Sequence, residues 1–78
     1  MNKPLTPQAV RGALLQCGFS FSEWGRQNGY SPRYVWLVVK RWTNRESGMP
    51  KGGAYRIVLG ISKTIGRSIT PVVPLNES

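Results

Sequence analysis

The chain has 78 residues, of which 11 are lysine or arginine and three are glutamate, with no aspartate or histidine, and its formal net charge is +8. This length allows one domain but no deep active-site cleft, and a single core of this size supplies only a few kcal/mol of stability. One cysteine and no histidine exclude a disulfide framework and a Cys/His zinc finger. Because no carboxylate pair or nucleophile with its base is evident either, we expect neither an enzyme nor a metal or cofactor site.

The first predicted helix covers about residues 7–17. Thr6 is a preferred N-cap residue, and Pro7 suits the first helical position, where its missing N–H costs nothing. The inward apolar stripe consists of Val10, Ala13, Leu14 and Cys17. Gly18 is expected to end the helix. On this stripe, Cys17 is predicted to be a small buried hydrophobe.

A second helix is predicted over residues 21–28. Ser20 and Glu23 have the S-x-x-E spacing of a capping box. Gly25 lies in the middle of this helix, where glycine costs about 1 kcal/mol relative to alanine, so another helix is expected to approach closely there. Gly29 is placed to end the helix in the left-handed conformation that glycine adopts easily.

A third helix is predicted over residues 32–42, directly after that turn. Ser31 serves as its N-cap and Pro32 as its first residue. Its apolar stripe consists of Val35, Val38, Val39 and Trp42, with the i, i+3, i+4, i+7 spacing of an inward face. The opposite side carries Arg33, Leu37, Lys40 and Arg41.

The remaining sequence predicts a loop, a fourth helix and a tail. Residues 43–53 have the composition of a loop. The fourth helix covers about residues 53–65, and Gly66 ends it. The apolar face of this helix consists of Ala54, Ile57, Val58, Ile61 and Ile65. In residues 67–78 the prolines forbid a helix or a central strand, which predicts a flexible tail or a dimer arm. The fold is therefore expected to be all-α, a compact four-helix domain over residues 1–66 with an irregular C-terminal tail.

Three segments of this pattern resemble a known family. They read SEWGRQNGYSP, RYVWLVVKR and KGGAYRIVLGI, with the spacing set by Gly25, Gly29, Tyr30, Val35 and Val38. This spacing resembles the helix-turn-helix of the lambda-repressor-like DNA-binding superfamily, and it is most similar to the small DNA-binding regulators of Mu-like phages and prophages. The resemblance covers roughly residues 5–66. It implies a phage-type transcriptional regulator, a repressor, that reads the major groove of double-stranded DNA with helix 32–42.

The residues that would contact DNA follow from the resemblance and from side-chain placement. Base contacts are predicted for Arg33, Tyr34, Trp36 and Leu37, and phosphate contacts for Ser31, Lys40, Arg41, Arg45 and Lys51. Gly25 and Gly29 belong to the turn. Arginine at position 33 can pair bidentately with guanine. The two aromatic residues lie off the apolar stripe, and for them contact with DNA and packing against a loop are equally open.

Two other function classes stay open. One is an accessory DNA-binding or protein-interaction subunit of a transposition or toxin–antitoxin complex, in which the basic face is secondary. The other is an RNA or single-strand binder that stacks bases on Tyr30, Tyr34 and Trp36. The helix-turn-helix spacing argues against this second class, because stacking platforms are usually built on sheets.

The expected partner is double-stranded DNA, with no small-molecule substrate. The positive charge favours a polyanion. No run of 18 apolar residues exists, and the N-terminal MNKPLTPQ lacks the apolar stretch of a signal peptide, so we expect no membrane partner and a cytoplasmic, nucleoid-associated protein. One recognition helix reads few base pairs, so a homodimer or cooperative pair is expected, with the apolar arm at residues 70–75 as the candidate contact.

Overall fold

The described residues form four helices. The computed structural model describes residues 6–43, 45, 47–70 and 72–73. The helices are α1 (Pro7–Gln16), α2 (Phe21–Asn28), α3 (Pro32–Trp42) and α4 (Gly53–Ile65). No strand occurs among the described residues, and the predicted all-α four-helix class is confirmed. The predicted helix bounds match, except that α1 ends one residue earlier, at Gln16.

Serine and threonine hydroxyls fix the starts of the first three helices. The Ala9 N–H donates to Thr6 Oγ1 at 3.0 Å, and the Glu23 N–H donates to Ser20 Oγ at 3.0 Å. The Tyr34 N–H donates to Ser31 Oγ at 3.2 Å. Each hydrogen bond satisfies an amide that has no partner inside its helix. The fourth helix differs, because it follows Gly52, whose φ is 59° and which provides no side-chain cap.

The third helix is the centre of the core. It packs against α1, α2 and α4, and its predicted stripe of Val35, Val38, Val39 and Trp42 is buried. The other helices contribute Val10, Leu14, Trp24, Ile57, Val58 and Ile61 to the same core. Because α3 buries one side against three helices, its opposite side is held at the surface in a fixed orientation.

The α2–α3 turn has the predicted glycine geometry. Gly29 is left-handed, with φ of 83°, and the Tyr30 N–H donates to the Gly25 carbonyl at 2.8 Å. A Cβ at Gly25 would lie 2.9 Å from the Tyr30 carbonyl oxygen and 3.1 Å from Val35 Cγ2. The close approach of α3 predicted at Gly25 is therefore confirmed.

Cys17 is exposed, so the prediction that it is a small buried hydrophobe is wrong. The helix ends at Gln16, and Cys17 follows it with a ψ of 2°, outside the helix. Its Sγ lies 3.6 Å from the Thr64 carbonyl oxygen, in an exposed contact. Gly18, with φ of 91°, turns the chain away, as expected of a stop residue.

The segment after α4 packs on the helices. Ile69 and Val73 belong to the buried core, and the Ile69 N–H donates to Ser62 Oγ at 3.1 Å. At Ile69 and Val73 the segment is therefore packed, in contrast to the flexible tail predicted for residues 67–78, because these two apolar side chains join the core formed by the helices. Pro71 and residues 74–78 lie outside the described residues, so the predicted arm at 70–75 is described only in part.

In the described part of the chain, no helix has both the length and the apolar character needed to cross a membrane.

Candidate nucleic-acid interface

The outer face of α3 carries four of the nine side chains predicted to contact DNA. Arg33, Leu37, Lys40 and Arg41 are all exposed. Leu37 lies near the centre of this face and is 50% exposed. The face therefore combines cations at both ends of the helix with an apolar centre.

Tyr34 is held at one edge of this face by a row of aromatic rings. Trp24 and Tyr30 stack with ring centroids 6.5 Å apart and planes 8° apart, and Tyr30 and Tyr34 follow at 6.2 Å with a tilt of 51°. Tyr34 also covers Gly53 at the start of α4, since a Cβ there would lie 3.0 Å from its hydroxyl oxygen. It remains 41% exposed, so the ring is supported from behind and open in front.

Small residues on α4 make room for this aromatic row. A Cβ at Gly60 would lie 2.8 Å from Trp24 Cζ2. The Trp24 indole N–H donates to Thr64 Oγ1 at 3.0 Å, and the Thr64 hydroxyl donates to the Gly60 carbonyl at 2.8 Å. Sequence reasoning missed this contact. The sequence feature that could have indicated it is a pair of glycines, at positions 53 and 60, which lie seven residues apart on one helix face.

Trp36 lies on the other flank of α3. It is half-buried, and its ring packs against Phe21 with centroids 5.4 Å apart at a tilt of 57°. Arg11, Ser20 and Ser22 border the same shallow hollow. Trp36 therefore faces α2, away from Tyr34 at the opposite edge of the helix.

A groove runs between α3 and the loop that precedes α4. It has a volume of about 790 Å³, and its apolar lining includes Tyr34, Leu37, Met49 and Pro50. The cations along it are Lys40, Arg41 and Lys51. Met49 is 53% exposed, whereas Pro50 is buried. Sequence reasoning missed Met49 and Pro50, for which the signal was an apolar pair within an otherwise polar loop.

The residues predicted to contact phosphate surround this groove and the ends of α3. Every lysine and arginine among the described residues is exposed. Arg45 lies just beyond α3, with its guanidinium carbon 5.2 Å from the centroid of the Trp42 ring. Ser31 accepts the Tyr34 N–H at the start of α3, which leaves its own hydroxyl proton free to donate. The structure thus brings Lys40, Arg41 and Lys51 together and places Ser31 and Arg45 at opposite ends of the helix.

Comparison with known proteins gives no match. No family model matches the chain, and no curated protein or solved structure is similar to it at a significant level. The functional conclusion therefore depends on the geometry of α3 and its surroundings.

Proposed function

We propose that the protein binds double-stranded DNA sequence-specifically, with α3 in the major groove, and acts as a phage-type repressor by occupying an operator. The observation that carries the proposal is the outer face of α3, which presents Arg33, Leu37 and Lys40 to solvent while the inner face is fixed in the core. A helix with its side chains is about 10–12 Å across, close to the major-groove width of about 12 Å.

The charge distribution supports an anionic, elongated partner. The chain carries a net charge of +8, and the described cations are all at the surface. Lysine and arginine that neutralise phosphates release condensed counterions, which drives binding to nucleic acids. This term supplies affinity without sequence preference, so the specific part must come from the side chains at the centre of α3.

The side chains on α3 suit different roles. Arg33 lies in the first turn, where a helix in the major groove points its side chains at base edges, and it can pair bidentately with guanine. Lys40 and Arg41 lie in the last turn, roughly 10 Å further along the axis at 1.5 Å per residue. There they would reach the phosphates that border the major groove of the DNA. Lys51, which lies across the apolar groove of the protein from them, would reach these phosphates as well.

The aromatic contacts favour duplex DNA over single strands. A stacking platform would need Tyr30, Tyr34 and Trp36 with open ring faces. Tyr30 lies between Trp24 and Tyr34, and Trp36 packs against Phe21. Of the three, only Tyr34 is exposed, at 41%, and one ring is too little for a row of stacked bases.

Binding as a dimer or cooperative pair belongs to the same proposal. A single module of this size buries roughly 600–1,000 Å² on DNA, and two copies on half-sites about one helical turn apart double the readout. The contact between copies is not assigned to Ile69 or Val73, because both side chains are buried within one chain.

Selection from a random pool tests the proposal directly. The full chain is incubated with duplexes that contain 20 random base pairs, and bound sequences are amplified over several rounds. We expect one sequence to be enriched and to bind, by fluorescence anisotropy, at least tenfold more tightly than its shuffled duplex, its single strands or the matching RNA. A pool that stays random, or tighter binding of a single strand or RNA, would contradict the proposal.

A further inference from the structure

The apolar centre of the α3 face has no role in electrostatic binding. Four large apolar side chains are exposed among the described residues, and three of them, Leu37, Tyr34 and Met49, line the same groove. Lys40, Arg41 and Lys51 border it. An apolar floor bordered by cations fits a partner with a small apolar group at its centre and negative charge on either side.

The major groove of DNA has this arrangement at thymine. Its borders are phosphates, and the thymine C5-methyl is the one apolar group among the hydrogen-bonding atoms on its floor. A leucine side chain cannot hydrogen-bond to a base edge, so its contribution to specificity is contact with this methyl group. The flexible thioether of Met49 and the supported ring of Tyr34 would enclose the contact from the sides.

We propose that Leu37, flanked by Tyr34 and Met49, reads the C5-methyl group of thymine in the preferred site. This inference rests on the proposed duplex-DNA function and names the base feature that the same surface recognises. It assigns Leu37 a specificity role distinct from that of Arg33, which would read guanine through hydrogen bonds.

The test uses uracil in place of thymine, which removes the methyl group and leaves every hydrogen-bonding atom unchanged. The enriched duplex from the selection is synthesised with deoxyuridine at one thymine at a time, and binding of the full chain is measured by anisotropy. We expect at least one position where binding weakens about fourfold, the effect of exposing one buried methyl group. In the Leu37→Ala variant, thymine and uracil at that position should bind equally.

Leu15→Ala is the matched control. Leu15 is 54% exposed on α1, so its replacement removes the same side-chain atoms from an equally open surface. This variant should keep the preference for thymine over uracil.

The outcomes separate the two proposals. If the unaltered protein binds its enriched duplex but no uracil substitution weakens it, the methyl contact is overturned and the DNA-binding function stands. The methyl contact is also overturned, and the DNA-binding function stands, if Leu37→Ala keeps the preference for thymine. If that variant in addition has a lower sedimentation mass, the groove is a contact between two copies of the chain. If no sequence is enriched at all, the DNA-binding proposal fails and the methyl contact fails with it.

Discussion

Arg33 is the residue whose loss should change DNA sequence preference through hydrogen bonding. Replacing it with alanine removes a bidentate contact, and we expect about 1–3 kcal/mol weaker binding to the enriched duplex, with relaxed preference at one base pair. The matched control is Arg67→Ala, because Arg67 is exposed beyond the far end of α4 and its loss changes the net charge equally. Anisotropy with specific and shuffled duplexes measures both. An unchanged ratio between the two duplexes in Arg33→Ala would contradict the assignment.

Thr43 offers a second test at the residue scale, directed at stability. Its side chain is fully buried after α3, and its Oγ1 has no hydrogen-bond partner among the described residues. Thr43→Val replaces that hydroxyl with a methyl group of similar shape, so urea denaturation should show unchanged or up to about 1 kcal/mol greater stability.

Ser62→Ala is the opposing control for Thr43→Val. The Ser62 hydroxyl donates to the Val58 carbonyl at 2.7 Å and accepts the Ile69 N–H at 3.1 Å. Its removal leaves a buried amide unsatisfied and should cost about 1–3 kcal/mol. A loss of stability in Thr43→Val as large as that in Ser62→Ala would show that the Thr43 hydroxyl has a partner.

At the scale of elements, the contact between α2 and α3 depends on the absence of a side chain at Gly25. A methyl group there would meet the Tyr30 carbonyl and Val35, so Gly25→Ala should destabilise the protein by about 1–3 kcal/mol. Gly12→Ala on α1 is the control, because a Cβ there meets no atom within 4 Å. Gly12→Ala should stabilise the protein by about 0.5–1 kcal/mol, because alanine has a higher helix propensity than glycine. The same propensity gain applies to Gly25→Ala, where the steric contact outweighs it. Equal free energies of unfolding for the two variants would contradict the tight α2–α3 contact.

Three of the four helices were predicted with their observed bounds, because several of their ends depend on local chemistry. Ser20 and Ser31 cap helix starts through backbone amides three residues later, and Pro32 occupies a first helical position. Gly29 and Gly66 end helices in the left-handed conformation. The mistake at Cys17 has the same origin. A helix that ends one residue earlier carries the last position of an apolar stripe out of the core.

The parts that sequence did not predict depend on contacts between distant positions. The segment that contains Ile69 and Val73 looks like a tail in sequence, because its proline spacing excludes regular structure but says nothing about burial. The groove beside α3 was missed for a similar reason. Leu37 and Lys51 were predicted as site residues from their own positions, but only the fold places them along one surface with Met49.

For the whole molecule, the segment after α4 should be required for folding. Ile69 is fully buried, and Ile69→Ala should cost about 2–5 kcal/mol, a large share of the stability of a domain this small. Truncation after Gly66 removes both Ile69 and Val73 and should abolish the cooperative thermal transition followed by circular dichroism. Leu15→Ala, at an exposed site, should leave the transition nearly unchanged. A truncated chain that melts like the full one would contradict the packing of this segment.

The salt dependence of DNA binding measures how many lysine and arginine side chains on the protein surface neutralise phosphates. If Lys40, Arg41, Arg45 and Lys51 each neutralise one phosphate, the slope of log affinity against log salt should lie between about −3 and −4 per protomer. Lys51→Ala should make the slope shallower by about 1. Lys63→Ala removes the same charge from the last turn of α4, at the other end of that helix, and should leave the slope unchanged. Equal slopes for the two variants would exclude a phosphate contact at Lys51.

The glycines beneath the aromatic row constrain how this sequence can diverge. Gly60 leaves space for Trp24, and Gly53 leaves space for Tyr34, so the sizes of the residues within each pair are coupled. A homologue with a larger residue at position 60 needs a smaller one at position 24, and the same trade applies between 53 and 34. We therefore expect these two pairs to covary during evolution, while Gly12, where a Cβ would meet no atom within 4 Å, varies independently. Such paired changes offer a way to identify distant relatives whose overall sequence identity has been lost.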